Sequence, residues 1–134
     1  MDLLVNIDVP DLARAVAFYV QAFSLTVTRR FGDKAVELGG WPVNLYLLQQ
    51  PEGSIGAGES ARNYDRHWTP VHLDIVVDDI ETALSRAVAA GARPETVIRT
   101  EVWGKIVPLA DPFGHGVCLI EFLGLGYDEI ADKV

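Results

Sequence analysis

Residues 5–23, VNIDVPDLARAVAFYVQAF, and residues 73–91, LDIVVDDIETALSRAVAAG, share the pattern that decides the fold of this chain. Each begins with alternating apolar and polar residues, as a half-buried strand does, and continues into an amphipathic stretch with helical spacing. An aspartate at the junction is suited to cap the helix. Equivalent positions differ by 68 in each of the pairs Ile7 and Ile75, Val9 and Val77, and Asp11 and Asp79. The repeat indicates two similar modules.

Each copy is followed by three short runs that are rich in β-forming residues. The runs are LTVTRRF (25–31), KAVEL (34–38) and PVNLYLL (42–48), and then ETVIRT (95–100), GKIVPLA (104–110) and GVCLIEF (116–122). This order predicts an α+β fold made of two βαβββ modules. We expect a single domain over residues 1–134, with module 1 at about 1–50, a flexible linker at 51–70, module 2 at about 71–124 and a C-terminal tail at 125–134.

The composition is that of a soluble globular chain with an acidic balance. Hydrophobic residues make up 49% and charged residues 22%, and the formal net charge is -8 at pH 7. This charge repels nucleic acids and anionic membranes and leaves neutral or cationic small molecules as partners. The N-terminus lacks the basic start and apolar run of a secretory signal, and the single cysteine, Cys118, excludes an internal disulfide. We therefore predict a cytoplasmic protein that binds neither nucleic acid nor membranes.

A sheet with a helix on one face leaves its other face uncovered, so two such modules are expected to enclose a shared concavity, the cup. Side chains alternate along a strand, and this parity predicts which residues face the cup. They are Leu4, Asn6 and Asp8 from module 1 and His72, Asp74 and Val76 from module 2. The cup is the predicted site for a small-molecule ligand.

The chain resembles the vicinal oxygen chelate superfamily, which includes glyoxalase I, bleomycin-resistance proteins, extradiol dioxygenases and fosfomycin-resistance enzymes. The resemblance covers nearly the whole chain. It rests on the paired modules, on the strand–Asp–Leu–helix opening with Phe18 and Tyr19, and on the hairpin Asp111-Pro112-Phe113-Gly114 before the last run. It implies the glyoxalase/bleomycin-resistance fold, and it implies a homodimer, because members are frequently dimers.

In metal-dependent members, as the resemblance implies, each module supplies one ligand from its first strand and one from its last. The corresponding positions here are Leu4, Tyr46, His72 and Cys118, and only His72 is a usual ligand of the superfamily. Leucine donates no electron pair, and hard divalent ions prefer imidazole and carboxylate ligands. We expect no cofactor, with a divalent metal at His72 as the alternative. By strand parity Glu121 points away from Cys118, and we expect it to be solvated.

His72 and Asp74 lie two residues apart on one strand face and are the candidate catalytic pair, since a histidine can act as a general base near neutral pH. Together with His115 they would imitate the two-histidine, one-carboxylate set of non-haem iron oxygenases. His115 follows a hairpin turn, however, and is expected at the rim. A hydrogen-bonded His72–Asp74 pair in a polar cup is the favoured interpretation.

Aromatic side chains that line a concavity can stack on planar or cationic ligands. Tyr46 falls on the cup face, and one of Trp41, Trp68 and Trp103 is expected to contact a ligand, whereas His67 is expected at the surface or rim. The predicted ligand-binding residues are Leu4, Asn6, Tyr46, His72, Asp74, Trp103 and Cys118.

These patterns favour a metal-independent cup that binds a small, cationic, antibiotic-like ligand, as bleomycin-resistance proteins do. The alternative is a metal-dependent lyase or dioxygenase of the glyoxalase type that uses His72, or a metal-free acid/base reaction through His72 and Asp74. A dimeric scaffold with a vestigial cup is the third hypothesis.

Overall fold

The computed structural model describes residues 1–134 and contains two α-helices, eleven strands and one 3₁₀ helix. The first compact unit, Met1–Asp65, contains β1 (Val5–Val9), α1 (Leu12–Phe23), β2 (Thr26–Phe31), β3 (Ala35–Gly39), β4 (Leu45–Gln49), β5 (Ile55–Ala57) and β6 (Ser60–Ala61). The second, Arg66–Val134, contains β7 (Leu73–Val76), α2 (Ile80–Ala90), β8 (Arg93–Pro94), β9 (Arg99–Glu101), β10 (Gly104–Ala110), β11 (Gly116–Phe122) and the 3₁₀ helix Gly126–Glu129. The predicted α+β fold of two βαβββ modules is confirmed.

The first unit is a four-stranded sheet with α1 against one face. The strand order is β1-β4-β3-β2, with β1 parallel to β4 and the other neighbours antiparallel. The apolar stripe of α1 is buried, and its members are Leu12, Ala15, Phe18, Tyr19 and Ala22. Burial of this stripe stabilises the unit, because apolar area leaves water.

The second unit repeats this topology with one irregularity. Its order is β7-β11-β10, again with the first strand parallel to the last, and β8 and β9 both pair with β10. The prediction of one strand over ETVIRT is therefore wrong in detail, because residues 95–98 lie between β8 and β9. The interruption places Glu95 and Thr96 in a loop rather than a ladder.

The two sheets have equivalent registers. Asn6 pairs with Tyr46 and Tyr46 with Glu37 in the first sheet, whereas Asp74 pairs with Cys118 and Cys118 with Pro108 in the second. The correspondence of Tyr46 with Cys118, inferred by alignment, is thus reproduced by strand pairing. Residues paired across a sheet share a face, so each row lies on one side of its sheet.

Both helices begin in the same way. Asp11 and Asp79 are the N-caps, and their carboxylates accept hydrogen bonds from the backbone N–H groups of Arg14 and Thr82, both at 3.1 Å. The end of the parallel partner strand supplies a second acceptor. Gln49 Oε1 accepts from Leu12 N at 2.9 Å, and Glu121 Oε2 accepts from Ile80 N at 2.8 Å.

Glu121 is therefore not the solvated side chain predicted from sequence. The parity argument did place it on the side opposite Cys118, and that side carries α2. The helix N-terminus has unsatisfied N–H groups and a positive dipole end, and a carboxylate stabilises both.

The predicted flexible linker contains ordered structure. Its residues 55–61 form the β5–β6 hairpin, and Arg62 Nε donates to Asp8 Oδ2 at 2.6 Å, which ties the hairpin to β1. The first strands are also shorter than predicted. Leu4 and His72 directly precede β1 and β7, and Leu4 is 60% exposed.

Candidate functional site

The second unit carries a groove of about 610 Å³ on the sheet face opposite α2. It is lined by Arg66, His67, Trp68, His72, Glu95, Thr96, Arg99, Ile106, Pro108 and Cys118, and we call it the Trp68 groove. Small-molecule pockets usually measure about 300–1,000 Å³. The floor is apolar, because Pro108 and Cys118 pair across β10 and β11 and Ile106 lies two residues along β10.

Trp68 forms one wall of the groove. Its ring lies 4.8 Å from that of His72, centroid to centroid, and the Arg66 guanidinium lies 5.5 Å from the Trp68 ring centroid. A Cβ at Gly116 would lie 2.7 Å from Arg66 Nη2 and 2.8 Å from the Trp68 ring. The missing side chain at Gly116 thus allows Arg66 and Trp68 to lie directly on β11.

Arg66 is held in place by several acceptors. Its Nε forms an ion pair with Glu95, and its Nη1 donates to the carbonyl oxygens of His67 and Gly114. The Arg66 side chain is only 19% exposed, so little of it contacts solvent. Glu95 balances its charge. The pair fixes the loop 66–68 against the groove.

Three atoms that could bind a metal ion lie close together in the second unit. One atom each of His72, Asp74 and Cys118 lies within 4.8 Å of the others, and His72 Nε2 is 3.4 Å from Asp74 Oδ1. Burial raises the pKa of the Cys118 thiol to about 11, with further contributions from the charge of Asp74 and a hydrogen bond to it. The thiol is therefore neutral at physiological pH.

The residues do not fit the metal centre that the superfamily resemblance implies. Of the four expected positions, Leu4 offers no donor atom, and Cys118 offers a thiol where hard divalent ions prefer a carboxylate. The Tyr46 hydroxyl donates to Glu37 Oε2 at 2.5 Å. Leu4 thus supplies no electron pair, and the Tyr46 hydroxyl already belongs to another interaction.

The equivalent row of the first sheet is occupied by a hydrogen-bonded carboxylate. Glu37 is 3% exposed and accepts from Arg29 Nη2 and Tyr46 Oη, both at 2.5 Å, and from Thr28 Oγ1 at 2.8 Å. Hydrogen bonds from Arg29, Tyr46 and Thr28, in that order of size, lower the pKa of Glu37 to about 2. No buried side-chain polar atom in the described chain lacks a partner.

The remaining predicted site residues lie outside the Trp68 groove. Trp103 packs with Tyr127 at 5.1 Å and with Phe122 at 6.4 Å, between ring centroids, and so joins the C-terminal segment. His115 Nδ1 lies 2.9 Å from Asp111 Oδ2 in the hairpin turn rather than beside His72. Asn6 is exposed on β1.

Several groove residues escaped the sequence analysis. Ile106 and Pro108 could have been found, because the turn at Asp111–Gly114 sets the register of the hairpin that contains Cys118. Arg66 and Trp68 could not, since they come from a segment without periodicity, and no pattern predicts how such a loop returns to a sheet. Arg99 carries only the weak signal of strand parity.

Two βαβββ modules of this kind define the glyoxalase/bleomycin-resistance class of fold. The family model of a glyoxalase-like domain matches residues 4–120, and the chain belongs to that family. An uncharacterised protein of Mycobacterium bovis is 30% identical over 115 residues, which cover 80% of this chain and 74% of the relative.

Solved structures share the fold at low sequence identity. A glyoxalase/bleomycin resistance protein/dioxygenase family enzyme from Burkholderia phytofirmans superposes with a TM-score of 0.71 at 19% identity, covering 90% of this chain and 97% of its own. The fosfomycin resistance protein FosX from Listeria monocytogenes gives 0.70 at 13% identity, covering 92% and 93%. No helix of the chain has the length and apolar character needed to cross a bilayer.

Proposed function

We propose that this chain binds a small organic molecule in the Trp68 groove without a resident metal. The observation that carries the proposal is the groove itself, which combines an apolar floor with an aromatic wall and a polar rim. Trp68 remains 45% exposed despite its contacts with Arg66 and His72, so ring surface is available to a ligand. A ligand seated there would gain burial of apolar area and aromatic stacking.

The neutral Cys118 thiol supports binding rather than nucleophilic catalysis. Thiolates, not thiols, attack substrates, and the raised pKa keeps this sulfur protonated. Ile106 and Pro108 have no polar side-chain atoms, so the floor offers a ligand shape and apolar contact. Specificity then comes from the rim.

Planar aromatic probes test the proposal through NMR titration of the full chain. We expect Trp68→Ala to weaken binding of such a probe about tenfold, which corresponds to ~1.4 kcal/mol of lost stacking and burial. Trp103→Ala is the matched control, because Trp103 packs with Phe122 and Tyr127 outside the groove. Equal losses for both variants would contradict the proposal.

The alternative is metal-dependent lyase or dioxygenase activity, and the cluster of His72, Asp74 and Cys118 is the observation that favours it. Elemental analysis of protein purified without chelator distinguishes the two. The proposal expects no stoichiometric transition metal, whereas a metal that is lost in His72→Ala would support the alternative. The homodimer and the cytoplasmic location stay predictions.

A further inference from the structure

We propose that the Trp68 groove selects planar aromatic ligands that carry a carboxylate or comparable anionic group, and that Arg99 recognises that group. The inference rests on the proposed function, because it assigns the ligand class of the same groove. It also reverses the sign of charge that the overall composition favoured.

Arg99 lies on the groove face of the sheet. It pairs with Ile106, which pairs with Ile120, and this row is adjacent to the row of Pro108 and Cys118. The Arg99 side chain is 68% exposed, and its Nε forms an ion pair with Glu101 Oε1 at 2.7 Å. Neither of its terminal nitrogens donates a hydrogen bond to another residue. A guanidinium held at Nε with free terminal nitrogens can donate to both oxygens of a carboxylate.

The other ionisable groups around the groove contact partners within the protein. Arg66 and Glu95 form an ion pair, and the Arg66 Nη1 donor is directed to backbone carbonyls. Asp74 Oδ1 lies 3.4 Å from His72 Nε2. Of the two groove arginines, Arg99 is thus the one whose donors are open to a ligand, because its side chain is 68% exposed and that of Arg66 only 19%.

Local charge outweighs net charge for a ligand in contact with the protein. The net charge of -8 is spread over the whole chain, and its effect on a bound ligand is screened beyond about 8–10 Å at ordinary ionic strength. A cationic ligand on the Trp68 wall would lie near the terminal N–H donors of Arg99. An aromatic acid would instead pack its ring on the apolar floor, and its carboxylate would accept hydrogen bonds from Arg99.

Three probes that share one ring system separate charge from shape. They are 2-naphthoate, the neutral 2-naphthamide and the cationic 2-naphthylmethylammonium, each titrated into the full chain at low salt and followed by NMR. We expect 2-naphthoate to bind about tenfold more tightly than 2-naphthamide, with the ammonium weakest. Added salt should reduce the advantage of the carboxylate.

Arg99→Gln should remove the advantage of 2-naphthoate and leave the affinity for 2-naphthamide unchanged. Lys105→Gln is the matched control, because it removes the same charge from the neighbouring strand but from the opposite face, where Lys105 contacts Glu81 at 3.3 Å. The control variant should retain the tenfold preference. Circular dichroism establishes that both variants are folded.

The outcomes distinguish this inference from the proposed function. Equal binding of the carboxylate and the amide, tighter binding of the ammonium, or a preference that survives Arg99→Gln overturns the role of Arg99 while the groove remains a binding site. If none of the three probes perturbs the groove residues at millimolar concentration, both the inference and the proposed function are wrong.

Discussion

The sheet faces opposite the two helices have the same register but different side-chain chemistry. In the first sheet the central row contains Tyr46 and Glu37, joined by a 2.5 Å hydrogen bond and by Arg29. In the second the equivalent row contains Cys118 and Pro108, which form no such network and floor a groove. A duplicated scaffold therefore fixes where a site can form, and the side chains on each copy decide whether it is open.

The helix side of each sheet teaches the complementary lesson. Gln49 and Glu121 differ in charge, yet each accepts a hydrogen bond from the first backbone N–H of its helix. Structural requirements on this side are met alike in both copies. The functional difference between the modules lies on the other side.

The largest effect is expected from Glu37→Leu, which removes the acceptor shared by Arg29, Tyr46 and Thr28. The change removes the hydrogen bonds from three side chains to one buried carboxylate, so the melting temperature should fall by several degrees. Glu101→Leu, which breaks an exposed pair with Arg99, should change it little. Thermal melts followed by circular dichroism test this. Similar shifts for both variants would contradict the stabilising role of the Glu37 hydrogen bonds.

The second effect concerns the groove rather than stability. Gly116→Val introduces a side chain where Arg66 and Trp68 lie, so both should be displaced and the affinity for 2-naphthamide should fall about tenfold or more. Gly56→Val is the control, because a Cβ at Gly56 finds nothing closer than 3.7 Å. Unchanged affinity in Gly116→Val would show that the Trp68 wall does not contact the probe.

The helix acceptors should contribute equally in the two modules. We expect Gln49→Ala and Glu121→Ala each to cost about 1 kcal/mol of the free energy of unfolding, measured by urea denaturation. Exchange of the two residues, Gln49→Glu with Glu121→Gln, should cost less than about 0.5 kcal/mol, since each keeps an acceptor. A large cost for the exchange would refute the equivalence.

The pH dependence of stability should separate the two rows. The pKa of Glu37 falls from 4.5 to about 2, so its stabilisation is present above pH 4.5 and is lost as the pH falls toward 2. The pKa of Cys118 rises from 9.0 to about 11, so its contribution is present below pH 9 and is lost as the pH rises toward 11.

Melting temperatures across this pH range check both signs. Glu37→Gln should flatten the acid limb alone, and Cys118→Ala should flatten the alkaline limb alone. A variant that changes the other limb, or neither, would contradict the assignment of these groups.

Sequence was sufficient for the parts of the molecule that obey a period. The repeat at Asp11 and Asp79 predicted both helices and their caps, and the superfamily resemblance placed His72 and Cys118 in one set of positions. It failed where a residue acts across a non-periodic segment. Arg66 and Trp68 reach the groove from a loop, and the ion pair between Arg66 and Glu95 joins two segments that no local pattern relates.

The central claim is that the ligand binds in the Trp68 groove of the second module and not at the row of Tyr46 and Glu37 in the first. An amide NMR titration with 2-naphthamide tests it most directly. We predict that the largest shift changes occur at residues 66–68, 95–99, 106–108 and 116–118, and that Asn6, Glu37 and Tyr46 change little. Changes centred on those three residues, with the groove unaffected, would contradict the account.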